Sequence, residues 1–169
     1  MKRICILLLV LIIAVGCSKQ KTNPQEVKDK VMMQVKAIQA SDASAFIETS
    51  NIESVKNNCA NQSKNKPNAQ QATGECVKDI VRMLQSKYDN AINKKLIPYS
   101  AKFEIMETKA SADDMIKTRV KVSYANKDEA FRTKDGKLCK EAVVDFMYSE
   151  RGKGMLPVET DYVGVLSEY

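Results

Sequence analysis

Five cysteines and no histidine bound the chemistry open to this 169-residue chain. Histidine is the most frequent general base and zinc ligand. Without it, Ser-His-Asp and Cys-His nucleophilic catalysis are excluded. A zinc site would need cysteines and carboxylates alone, and no close cysteine pair exists to start one, so no metal or other cofactor is expected. The eight methionines are scattered and read as gap fillers rather than copper ligands. The other residues with chemistry to offer are cations. Lys117, Arg119 and Lys121 alternate with Ile116, Thr118, Val120 and Val122. Alternate residues of a strand share a face, so these three form a basic stripe, continued in sequence by Arg132, Lys134, Lys137 and Lys140. Such a stripe suits an acidic protein, a cell-wall polymer or lipid phosphates. A charged sheet face kept for solubility is the plainer reading. Gly152 and Gly154 flank Lys153 without phosphate-loop spacing and mark a turn.

Cys17 closes a distinctive opening. Lys2 and Arg3 precede an apolar run, Ile4 to Val15, that ends in Ala14-Val15-Gly16-Cys17. A basic start, an apolar stretch and small residues before a cut make a signal peptide. The run is too short to span a bilayer, which takes about 20 apolar residues. The last four residues resemble the lipobox of bacterial lipoproteins, with Ala14 where that family prefers Leu. The resemblance implies removal of residues 1–16 and acylation of Cys17, which would hold the rest of the chain on a membrane through its lipid. Ser18, where an Asp favours inner-membrane retention, points by the same resemblance to the outer membrane, facing the periplasm. Residues 17–23 are then a lipidated cysteine and tether. Ser18 to Thr22 reach about 17 Å when extended, which keeps the domain close to the surface. Losing Lys2 and Arg3 lowers the formal charge from +6 to +4, a mild excess that serves solubility and gives no reason to expect a nucleic-acid partner.

With Cys5 removed and Cys17 lipidated, Cys59, Cys76 and Cys139 remain. An exported chain meets an oxidising compartment, so one disulfide and one left-over thiol are expected. Three pairings are open. Cys59 with Cys76 is favoured, because they bound a polar insert, Ala60 to Glu75, whose only apolar side chains are alanines. That insert is expected to lack order of its own.

These residues need elements to hold them. Asn23-Pro24-Gln25-Glu26 reads as a helix start, with Val27, Val31, Val35 and Ile38 on one face. Ser41-Asp42 opens a shorter helix that fades near Ser50. Thr73 is expected to cap a long helix carrying Val77, Ile80, Val81, Leu84, Tyr88, Ala91 and Ile92, ended by Pro98. Alternation then predicts strands over 99–106 and 116–124, with Asp113-Asp114 between them. A Lys134-Asp135-Gly136-Lys137 hairpin turn, a strand over 143–149 and a returning strand over 156–165 follow. Trp is absent and aromatics are sparse, so the core must lean on Val, Ile, Leu and Met.

Helices followed by antiparallel strands predict an α+β fold, one domain over residues 24–169. The order resembles the nuclear transport factor 2-like, cystatin-like cone, in which N-terminal helices pack in the hollow of a curved antiparallel sheet. Local support is the Pro24 to Ala40 helix and the Ser41 to Ser50 start. Isomerase-like members of that fold place an acidic base and Tyr or Asp donors in the hollow, which brings Tyr99, Tyr124, Asp145 and Tyr148 forward. Nothing in their spacing singles them out. The expected function is a membrane-anchored envelope lipoprotein with a non-catalytic domain for a protein partner or small ligand. An immunity or inhibitor lipoprotein against an envelope-acting toxin is one alternative. A small ligand-transforming enzyme of the cone fold is the other.

Overall fold

The computed structural model describes residues 22–111 and 114–169; the signal-peptide and Cys17 expectations, and Asp113, lie outside them. Four helices come first: α1 (Pro24–Gln39), α2 (Ala43–Glu48), α3 (Ile52–Ser63) and α4 (Ala69–Asn93). Five strands follow: β1 (Lys102–Ala110), β2 (Met115–Ser123), β3 (Cys139–Ser149), β4 (Gly154–Met155) and β5 (Gly164–Glu168). The fold is α+β, with helices packed on one face of an antiparallel sheet. The sheet runs β1-β2-β3, and both β4 and β5 pair with β3. A bulge in β1 between Ile105 and Glu107, and two register shifts where β5 meets β3, interrupt the ladder. Such irregularities bend and twist strands.

Local signals explain the first helices. The Asn23 side chain accepts from Gln25 N at 2.9 Å, and Pro24 takes the first helical position. Asp42 caps α2 by accepting from Ala45 N at 3.0 Å. Val27, Val31, Val35 and Ile38 are all buried and meet Phe46, Tyr88 and Ala91 from the other helices. The sheet contributes Ile116, Val120, Val122, Val144, Phe146 and Tyr148 to the same core. Fully burying one such side chain stabilises by about 1.5–3 kcal/mol. Buried polar side chains, Thr118 and Gln34 among them, share this interior. Gln34 is fully buried and donates to Thr49 Oγ1 at 3.1 Å and to the Leu156 carbonyl at 3.4 Å, pinning α1 to the α2 end and the chain after β4.

The polar insert departs from expectation. It is mostly helical, because α3 runs to Ser63 and α4 already begins at Ala69. The two helices pack against each other, and the Cys59–Cys76 disulfide joins them with Cα atoms 5.8 Å apart. Ala, Gln, Glu and Lys are good helix formers, and a neighbouring helix supplies what the insert alone could not bury. Thr73 is therefore not a cap. It lies inside α4 and its hydroxyl donates to the Ala69 carbonyl at 2.8 Å. At the other end, α4 stops at Asn93, well before Pro98. Leu96 N bonds the Ala91 carbonyl and Lys95 N the Ile92 carbonyl, both at 2.9 Å, with Lys95 left-handed at φ 54°. That is a Schellman closure.

Strand boundaries shift as well. β1 starts at Lys102, so Tyr99 lies outside the sheet and is 89% exposed. β3 starts at Cys139, four residues before the expected Val143. The expected return strand over 156–165 is split. Only Gly154 and Met155 pair at one end of β3, and β5 pairs at the other. Pro157 has no N–H to give a ladder. Residues 159–161 are instead drawn to α4, where Asn90 Nδ2 donates to Thr160 Oγ1 at 2.7 Å and Lys87 pairs with Glu159 at 2.6 Å. The 134–137 turn forms as expected, with Gly136 at φ 82° and its N–H on the Thr133 carbonyl at 3.0 Å.

Candidate functional site

The β2 alternation places its residues as the pattern requires. Ile116, Thr118, Val120 and Val122 are buried under the helices, and Lys117, Arg119 and Lys121 face outward. The stripe is not a free positive surface, however. Asp145, directly opposite Arg119 on β3, takes hydrogen bonds from Lys117 Nζ at 3.2 Å and Arg119 Nε at 3.3 Å. Glu141 pairs with Lys121 at 2.7 Å and accepts from Ser123 Oγ at 3.3 Å. The Lys121 hydrogen bond holds the Glu141 carboxyl below the ordinary carboxylate range, against a smaller opposing effect of burial. Three cations thus meet two carboxylates from the neighbouring strand. Exposed pairs of this kind contribute about 0–1 kcal/mol each, but they cancel most of the local field. Nor does the stripe extend as one face. Lys137 pairs with Glu168 at 2.7 Å, Lys140 is exposed on β3, and Arg132 belongs to a separate cleft.

The tyrosines and aspartate do not converge. Tyr99 stands in solvent and Asp145 holds the outward ion pairs just described. Tyr124 is buried, and its hydroxyl donates to the Leu96 carbonyl at 2.7 Å; burial pushes its pKa far up. Tyr148 is fully buried on the helix side of the sheet, and burial, then the charge of Glu26, raises its pKa. Tyr124 and Tyr148 are therefore separated by the sheet from Asp145. The left-over thiol, Cys139, is free and buried, and burial raises its pKa, which leaves it a poor nucleophile.

The feature with more chemical potential was not visible in the sequence. Where α4 ends, a cleft of about 500 Å³ opens against the loop before β3. Lys94, Lys95, Lys127 and Arg132 line it, with Asp128 the sole acid among its lining residues and Ala130 and Leu138 giving it apolar surface. The Schellman turn aims Lys94 and Lys95 here. Lys95 Nζ donates to the Asp128 carbonyl, tying the helix end to the loop. Arg132 Nη1 donates to the Gly136 carbonyl at 2.7 Å. Among the described residues Lys94 is the one of these four cations that pairs with a carboxylate, Asp161 at 3.0 Å. Asp161 is held below the usual range first by that hydrogen bond and charge, with Lys134 and Lys87 adding to the effect. A second, smaller groove of about 230 Å³ adjoins it, lined mainly by apolar residues including Ile92, Leu96, Pro98 and Tyr99, with Lys95 bordering both. Of the four cations, Lys94 and Lys95 are the two that are sequence neighbours. The partners from the loop lie some 33 positions away, with no local pattern to join them.

No protein family model, no curated protein and no solved structure matches the chain.

Proposed function

We propose that this chain is a lipid-anchored protein of the bacterial cell envelope, tethered through Cys17, whose α+β domain binds a partner rather than transforming it. The observation that carries the reading is the Cys59–Cys76 disulfide, formed within an N-terminal-signal context. Disulfides persist in exported proteins and are rare in a reducing cytosol. The layout from Lys2 to Cys17 supplies the route and the anchor. In this reading the attachment is the lipid on Cys17; among the described residues no helix is long and apolar enough to cross a membrane. A single chain holds only marginally, at about 0.8 kcal/mol per buried methylene, and stable anchoring takes more than one. The binding reading is supported by dispersal of the tyrosine and aspartate candidates to opposite sides of the sheet, and by the charged cleft beside α4.

The experiment is metabolic labelling with palmitate followed by detergent-phase partition. The native chain should take up label and enter the detergent phase. Cys17→Ser should accumulate as a larger, unlabelled precursor. Unchanged mature size and unchanged membrane attachment in that variant would overturn the proposal.

A further inference from the structure

We propose that the cleft between the C-terminal end of α4 and the loop ahead of β3 binds a phosphate-bearing anion. The inference deepens the binding reading but does not depend on the lipid anchor. Its basis is a contrast between two sets of cations in one molecule. On the outer sheet face each of Lys117, Arg119 and Lys121 has a carboxylate at 2.7–3.3 Å. In the cleft the hydrogen-bond partners are mostly neutral. Lys95 and Arg132 each donate to a backbone carbonyl, which positions the cation without cancelling its charge. Lys127, an exposed lining residue, has no carboxylate partner among the described residues. Four cations against two acids, Asp128 in the lining and Asp161 on Lys94, still leave a concave surface with a net excess of positive charge, and concavity focuses the field.

The chemistry of the donors narrows the ligand. A monocarboxylate would satisfy one cation and leave the others unmatched. A phosphate group carries up to two charges and several acceptor oxygens, and an arginine fork with lysines around it suits that shape. Arg132 uses one of its five N–H donors on Gly136 and keeps the rest of the fork for a ligand. Beyond the cleft Lys134 adds positive charge near Asp161, whereas Lys87 is already paired with Glu159. Two sources present the same group: a soluble phosphate ester, or a phospholipid headgroup whose chain would lie in the apolar groove on the other side of Lys95.

The test uses the full chain in non-ionic detergent at low salt, titrated calorimetrically with inorganic pyrophosphate and, separately, with micelles containing phosphatidylglycerol or phosphatidylcholine. Saturable binding of pyrophosphate, weakening as salt rises, supports the site and a soluble ester. Binding of phosphatidylglycerol but not pyrophosphate or phosphatidylcholine supports the site and a headgroup. The Lys127→Glu/Arg132→Glu pair should weaken either interaction by about tenfold or more without shifting the melting temperature, and Lys127→Gln should weaken it less. The Lys117→Gln/Lys121→Gln pair should leave it unchanged. Absence of saturable binding by every probe at low salt would overturn the proposal, as would equal weakening by both pairs of substitutions. A chain that binds phosphate yet takes up no palmitate keeps this site and loses the anchor.

Discussion

At the scale of single residues, close approach and charge pairing decide what can be changed. Gly154 sits where a Cβ would meet the Ser50 carbonyl carbon at 2.7 Å and its oxygen at 2.8 Å. Backbone cannot swing aside as a side chain can. The site is also held from the other partner, since Asn51 Nδ2 donates to the Gly152 carbonyl at 2.9 Å and Met155 N to the Thr49 carbonyl at 2.8 Å. Gly154→Ala should destabilise by about 1–3 kcal/mol, the usual cost of overpacking, read as a lowered denaturant midpoint at unchanged slope. The stripe on β2 makes a different prediction. Taken alone, Lys117, Arg119 and Lys121 look freely reversible. With Asp145 and Glu141 beside them, three glutamates would lose the ion pairs and place like charges across the strands. The triple change to Glu should cost about 2 kcal/mol, and the triple change to Gln less than about 1 kcal/mol; thermal melts of the two variants separate these.

At the scale of elements, the helix ends carry the information. α3 buries only Cys59 and Ser63 and packs chiefly on α4, so the disulfide is its main tie. The bridge spans a sequence separation of 17, which on the chain-entropy model contributes about 3 kcal/mol. Cys59→Ser with Cys76→Ser should lose about that much, with amide exchange rising first in α3 and the start of α4. Unchanged stability would mean the two helices hold together without it. The other end of α4 runs the opposite way. Lys95 occupies a left-handed position that glycine fills without a Cβ penalty. Lys95→Gly should therefore stabilise by about 0.5–1 kcal/mol while weakening phosphate binding in the cleft. A stability gain with unchanged binding would remove Lys95 from the site but leave the helix argument standing.

At the scale of the whole molecule, the burial of neutral acids sets the response to pH. Tyr124, Tyr88, Tyr148 and Cys139 all have raised pKa values, each with burial as the largest cause. Unfolded, these groups lose their protons near their ordinary values of 10.0 and 9.0; folded, they keep them to higher pH. Above those values the folded state binds more protons than the unfolded state, so stability falls as pH rises. Their contribution is complete below pH 9.0 and is lost progressively above it. Denaturant midpoints measured across the alkaline range should fall, and Tyr124→Phe should flatten the fall while costing the hydrogen bond to Leu96. A midpoint constant through that range would show that these groups titrate alike in both states. At the acid end the depressed Glu141 and Asp161 carboxyls act with the opposite sign. Their contribution is present above the ordinary carboxylate range and is lost as pH falls through their folded values.

What the sequence by itself determined lies within a turn or a strand of its cause. Asn23 and Pro24 start α1 because cap and first turn are adjacent. Val27 to Ile38 share a face because helical period is local, and Ile116 to Val122 point inward because strand period is local. The helices-then-strands order was enough for the α+β class, and the polar composition between Cys59 and Cys76 was enough to favour their pairing. Tertiary structure decided whatever depends on residues far apart. The insert became helix because α3 and α4 cover each other, and the return strand split because α4 holds Glu159 to Asp161. Asp145 and Glu141 neutralised a stripe that looked free when β2 was read without β3. The cleft exists only because the end of one helix meets a loop some 33 positions on. Periodicity and capping are properties of neighbouring residues, whereas net charge at a surface is a sum over whatever the fold brings together.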